Sequence, residues 1–113
     1  MADRTIKVFT SVASGATSNT DSAAPPNGMK IILTKCGASD INTGDNKSSV
    51  FQLLWGNIGS FTTVFAFALT GNVYEFEVTE EFIGDGSKFF RLVRINNSTS
   101  AKNLAMWIKG YDS

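Results

Sequence analysis

The chain has no histidine and a single cysteine, Cys36, and those two facts remove most of the chemistry a small protein performs. Without imidazole there is no Ser-His-Asp or Cys-His nucleophile and no histidine-containing metal site. One thiol builds neither an internal disulfide nor a multi-thiolate metal centre, and Cys36, placed in an apolar run, reads as a small buried hydrophobe. No Gly-rich phosphate loop of either common type occurs. Carboxylates are what is left. Glu75, Glu77, Glu80, Glu81 and Asp85 cluster in sequence, and a glycosidase needs two carboxyls flanking its scissile bond. Glu75 and Glu77 alternate with Tyr74, Phe76 and Val78, which places them on the solvated side of a strand. The expectation is a protein that is not an enzyme and carries no cofactor.

Two weaker signals point the same way. The stretch Asp40 to Asn46 resembles a calcium loop, but Gly44 falls at its fifth position, Asp45 at its sixth and Phe51 at its twelfth, against the required Gly and Glu. It reads as a polar turn, and no metal is expected. Glycosylation triplets start at Asn46, Asn96 and Asn97, yet Met1 to Lys7 shows no apolar run of a secretory signal. Aromatic side chains are the remaining binding currency. Trp55, Trp107 and Tyr111 could together form a platform for sugar rings, which makes carbohydrate a candidate partner.

The elements that would hold these residues are strands. Thr5 to Val12 puts Ile6, Val8 and Val12 on one face; Met29 to Cys36, Val50 to Trp55, Thr62 to Leu69, Val73 to Thr79, Phe89 to Ile95 and Leu104 to Tyr111 follow. Thr70-Gly71-Asn72 reads as a hairpin turn. Ser14 to Asn27, closed by Pro25-Pro26, has no periodicity and reads as a loop or extended arm. No window offers a helical stripe. The fold class expected is all-β: one antiparallel β-sandwich domain, jelly-roll-like, of about 7–8 strands, with residues 1–27 as first strand plus arm and 28–113 as the sandwich core.

Several strands are apolar on both sides. Val50 and Leu54 oppose Phe51, Leu53 and Trp55; Phe90 and Leu92 oppose Phe89, Val93 and Ile95; Leu104, Met106 and Ile108 oppose Ala105, Trp107 and Tyr111. Only one set of each can enter a two-sheet core. The other is expected to lie under loops or the arm, or to bury against another subunit.

Charge sets the class of partner. Ten basic and ten acidic residues cancel, so nothing advertises a surface for a polyphosphate. Nucleic acid is not an expected partner. Nor is membrane, since no stretch nears the roughly 20 apolar residues of a spanning helix. Low net charge leaves little repulsion between copies of the chain.

From Phe90 to Asn97, through a Ser/Thr turn, to Asn103–Tyr111, the chain resembles the closing hairpin of small β-sandwich head decoration (cement) proteins of tailed bacteriophages. In those proteins a strand ending in Asn and Ser is followed by an apolar strand ending in Gly-Tyr and an acidic residue. The resemblance implies a structural virion protein on the capsid surface, commonly a trimer, bound to the major capsid protein. On that reading the segment from Met1 to Asn27 orders on docking, and Phe51, Trp55, Trp107, Tyr111, Pro25 and Pro26 are candidate protein-interface residues. A tail or fibre-tip module and a lectin-like receptor-binding sandwich are the alternatives.

Overall fold

Runs of Val, Ile, Thr and Phe punctuated by Gly, Asn and Ser favour a pleated, half-buried backbone. The computed structural model, which describes residues 2–40, 49–69 and 72–112, folds them into eight strands. These are β1 (Ala2–Val12), β2 (Thr17–Asp21), β3 (Lys30–Asp40), β4 (Ser49–Asn57), β5 (Ser60–Ala68), β6 (Val73–Ile83), β7 (Phe89–Asn96) and β8 (Lys102–Asp112). They form two antiparallel sheets, sheet A in the order β1-β8-β3-β6 and sheet B in the order β2-β7-β4-β5.

The winding follows from one hairpin. β4 and β5 join through Ile58-Gly59, where Gly59 adopts a φ of +86° that only glycine takes without strain. From that hairpin the pairs β3/β6, β2/β7 and β1/β8 nest outward. The ribbon then curls to set β8 beside β3 and β7 beside β4. The result is the jelly-roll sandwich expected from the strand spacing.

Two local expectations fail for a shared reason. The turn after Leu69 does not make a hairpin, because β5 lies in sheet B and β6 in sheet A; Thr70 and Gly71 themselves fall outside the described residues. The closing pair β7 and β8 is likewise divided between the sheets. Turn residues fix where a chain reverses, whereas the sheet its next strand joins is set by long-range burial.

The arm is also revised. Residues 17–21 form β2, paired along its length with β7 at the edge of sheet B. Its inner side chains are hydroxyls for a reason. Arg94, on the inner face of β7 and 1% exposed, donates to the hydroxyls of Thr10, Ser18 and Thr20, and burial lowers its pKa. An apolar β2 would leave that guanidinium with Thr10 of β1 alone among these three acceptors. Beyond β2, Pro25 is buried and its carbonyl accepts from the Gly86 N–H (3.1 Å), while the Gly28 N–H donates to the Gly84 carbonyl (2.8 Å). So residues 2–29 are built into the sandwich rather than held in reserve for docking.

The core is contributed by both inner faces. Ile31, Leu33, Cys36 and Ala38 of β3 and Leu104, Met106 and Ile108 of β8 meet Phe51 and Leu53 of β4 and Phe90 and Leu92 of β7, each 1% exposed or less. Each large side chain so buried stabilises the fold by about 1.5–3 kcal/mol relative to exposure. At one end Arg4 and Asp112 close the sandwich with a two-pronged ion pair (2.7 and 3.1 Å), and this hydrogen bonding holds the Asp112 carboxyl below its usual range.

Candidate functional site

With the core assigned, the apolar sets that did not enter it lie on the outer faces. Sheet B shows this most fully. Its register places Thr17, Ile95, Val50 and Ala68 in one transverse row, Asn19, Val93, Gln52 and Ala66 in the next, and Asp21, Arg91, Leu54 and Thr63 in a third. Phe89 and Phe61 close the face with an edge-on contact at 5.5 Å. All are at least partly exposed except Val93, at 5%. One ion pair interrupts the face: Arg91 binds Asp21 in a fork (2.7 and 2.9 Å) and stacks 4.8 Å over the Phe61 ring. The pair lowers the Asp21 pKa and raises that of Arg91, with the hydrogen bond the largest cause in both.

Sheet A's outer face is different in chemistry. Lys7, Trp107, Gly37 and Glu75 stand in register across all four strands, and Thr5, Lys109, Lys35 and Glu77 form the next row. The indole of Trp107 reaches from β8 across β3 because Gly37 offers no side chain; a Cβ there would sit 2.6 Å from two indole carbons. Its N–H donates to Glu75 Oε2 at 2.6 Å on the far side. Lys7 Nζ lies over the ring, 5.5 Å from the centroid, and Lys109 Nζ is 3.4 Å from the same carboxylate oxygen. The indole hydrogen bond is the largest influence on Glu75 and, with smaller help from Lys109 and Lys35, holds its pKa below the ordinary value against desolvation. Beside these rows, where β3 bulges between Leu33 and Lys35, a depression of about 410 Å³ is lined by Thr34, Lys35, Glu77, Val78 and Thr79.

The residues singled out from sequence therefore part company. Phe51 is fully buried (0% exposed) against Phe67 at 5.6 Å, so it is a core residue and has no surface to offer a partner. Trp55 points inward too, packed at tilted angles against Phe90 (4.6 Å) and Phe82 (5.2 Å). That divides the expected platform of Trp55, Trp107 and Tyr111: only the last two share an outer face. Pro25 is buried beneath the β6–β7 connection, and Pro26 next to it is exposed. Alternation identified two sets per strand, but the larger set of β4 fills the interior because volume, not order, decides which side a core takes.

The carboxylates separate as well. Glu77, Glu80 and Glu81 are exposed, and Glu75 is engaged by Trp107. Asp85 caps its own turn by accepting from the Ser87 and Lys88 N–H groups (2.8 and 2.7 Å), which lowers its pKa. Cys36 is buried, and desolvation pushes its thiol up to about 12. Of the calcium-loop segment, residues 41–46 lie outside the described residues. Sequence reasoning missed Gly37 and Lys7, which frame Trp107. The signal was there in principle: a glycine inside an apolar strand marks a close approach by something else.

No protein-family model matches the sequence, and no curated protein matches it. The fold does have relatives among solved structures. The chain is similar to PirA, at a TM-score of 0.57 and 13% identity over 90% of this chain and 92% of that one. It is similar to the Yersinia pseudotuberculosis-derived mitogen at a TM-score of 0.57 and 12% identity, over 97% and 88%. A structure of infectious bursal disease virus, Gx strain, aligns at a TM-score of 0.39 and 9% identity, over 95% of this chain and 31% of that one. At such identities the first two speak to the fold, and the third is too loose to add to it.

Proposed function

We propose that this jelly roll is a non-catalytic structural module that assembles with copies of itself, and that it serves as a capsid decoration protein reinforcing the surface of a phage head. The observation that carries the reading is the outer face of sheet B. A sandwich with its core already filled needs no Val50, Leu54, Phe61, Phe89, Val93 and Ile95 on the side away from that core. Four strands at about 4.8 Å and four rows at about 6.8 Å give a footprint on the order of 500 Å². That footprint, in which apolar side chains share the face with Thr17, Asn19, Asp21, Gln52, Thr63 and Arg91, is comparable to the largest patches on monomers, about 300–600 Å² and often functional, and approaches what one partner contributes to a standard interface.

A second copy is the occupant that fits. The net charge is zero, so approach of like chains meets little repulsion, and the Asp21–Arg91 pair offers both signs of charge to a neighbouring copy. The capsid assignment rests on the resemblance in residue pattern of the C-terminal segment to decoration proteins, although β7 and β8 belong to different sheets rather than one hairpin, and on a fold suited to rigid, repetitive contact. The major capsid protein is the corresponding second partner.

Light scattering on the purified chain tests the first half. A species at three times the 12.2 kDa chain mass is expected, falling to monomer in Leu54→Arg, which places a second cation opposite Arg91. A wild-type monomer throughout the micromolar range overturns self-association by this face. Quantitative mass spectrometry of purified particles tests the second half: absence of the chain from virions removes the decoration role and leaves the assembly result standing.

A further inference from the structure

On the opposite side of the sandwich, sheet A carries a constellation that lies outside the core. We infer that its outer face, centred on Trp107, is a binding site for acidic pyranosides, sugars of the uronic-acid type. This goes beyond the assembly reading and uses the other sheet, so the two stand or fall separately.

The aromatic part is preorganised. The indole is laid over Gly37 and pinned by its N–H to Glu75 at 2.6 Å, so a ring stacking on it has little side-chain entropy to remove. A flat apolar plane with fixed polar groups at its rim suits a pyranose, whose C–H face is apolar and whose edge is hydroxyl. Each sugar hydroxyl both donates and accepts, so a site for several of them needs both kinds of partner. Those partners are adjacent: Lys35, Glu77, Thr34 and Thr79 line the depression beside the indole.

Charge selects the acidic member of the class. The two rows nearest the indole hold three lysines (Lys7, Lys35, Lys109) against two glutamates (Glu75, Glu77), while the carboxylates of the next row, Asp3 and Glu81, lie further from the indole and Glu81 pairs with Lys30. Glu75 is already shared by the indole, Lys109 and Lys35. Lys7 rests over the ring and has no carboxylate partner among the described residues. A ligand that stacks on the indole displaces the Lys7 ammonium sideways, and a sugar carboxylate at that point supplies a countercharge in place of the ring contact. A polyphosphate is a poorer match, since Glu75 and Glu77 stand within the same patch.

The test titrates the 113-residue chain with an oligogalacturonide and with a neutral galacto-oligosaccharide of equal length, by tryptophan fluorescence and calorimetry. Expected is quenching by the acidic oligomer, weakened by added salt, with weaker binding of the neutral one. Trp107→Ala is expected to weaken binding at least about tenfold. Lys7→Gln is expected to remove most of the preference for acid over neutral sugar. Trp107→Phe, which keeps a ring and the fold, guards against simple unfolding and is expected to bind weakly. No response at millimolar oligogalacturonide overturns the inference. So does undiminished binding by folded Trp107→Phe and Lys7→Gln, or equal affinity for the neutral sugar.

Discussion

Leu53 and Leu54 are neighbours in sequence and face opposite ways, and that pair tests the reasoning about faces most sharply. Leu53 is fully buried among the core residues, opposite Leu92 and Phe65. Leu54 lies half-buried on the outer face of sheet B, opposite Arg91 and Thr63. Truncating Leu53 to alanine removes three buried carbons and leaves a cavity, for about 3–4 kcal/mol. At this chain length each kcal/mol moves the midpoint by roughly 4 °C, so a drop of about 12–16 °C is expected. Leu54→Ala gives up only partial burial and no core contact, for about 1 kcal/mol or less in the isolated chain. Scanning calorimetry at low and high micromolar chain separates the two effects, because stability drawn from association depends on concentration and core stability does not. Leu53→Ala is expected to shift the transition equally at both concentrations. Leu54→Ala is expected to lose chiefly the part of the wild-type midpoint that rises with concentration. Equal destabilisation by both substitutions at low concentration would refute the facing of β4 and, with it, the sheet B interface.

Other expectations follow from single contacts. Gly37→Ala drives a methyl into the Trp107 indole, so near-ultraviolet dichroism and the exposed component of tryptophan fluorescence should change while far-ultraviolet dichroism does not; an unaltered near-ultraviolet spectrum contradicts the geometry. Asp112 and Asp21 have folded pKa values depressed by Arg4 and Arg91. Their contribution is therefore full above the unfolded carboxylate value near 3.9 and is lost as pH falls through the lower folded values. Midpoints measured between about pH 5 and 2 should fall, and Asp112→Asn should flatten that slope; an unchanged slope argues against the ion pair. Cys36, buried with its thiol near 12, should resist aromatic disulfide reagents at pH 8 until the chain unfolds, and rapid labelling of the native protein would contradict its burial.

Much of this molecule is legible in its residues. Absence of histidine, one thiol and balanced charge narrow the chemistry to be expected of it, and alternation from Tyr74 to Val78 or at Ile6, Val8 and Val12 fixes strands and their periods. The sequence also shows that β4, β7 and β8 carry two apolar sides, because side-chain direction in a strand depends only on parity. Which side turns inward is another matter. Phe51 and Trp55 entered the core and Val50 and Leu54 did not, a choice made by the volume available between two packed sheets. β2 was hidden because its hydroxyls answer Arg94, a residue more than 70 positions away, and hydrogen bonding between strands leaves no periodic trace along one of them. The row of Lys7, Trp107, Gly37 and Glu75 exists only through pairing register across four strands. Local residue types set period and turn; long-range burial and register decide which residues become neighbours, and so which of them can act together.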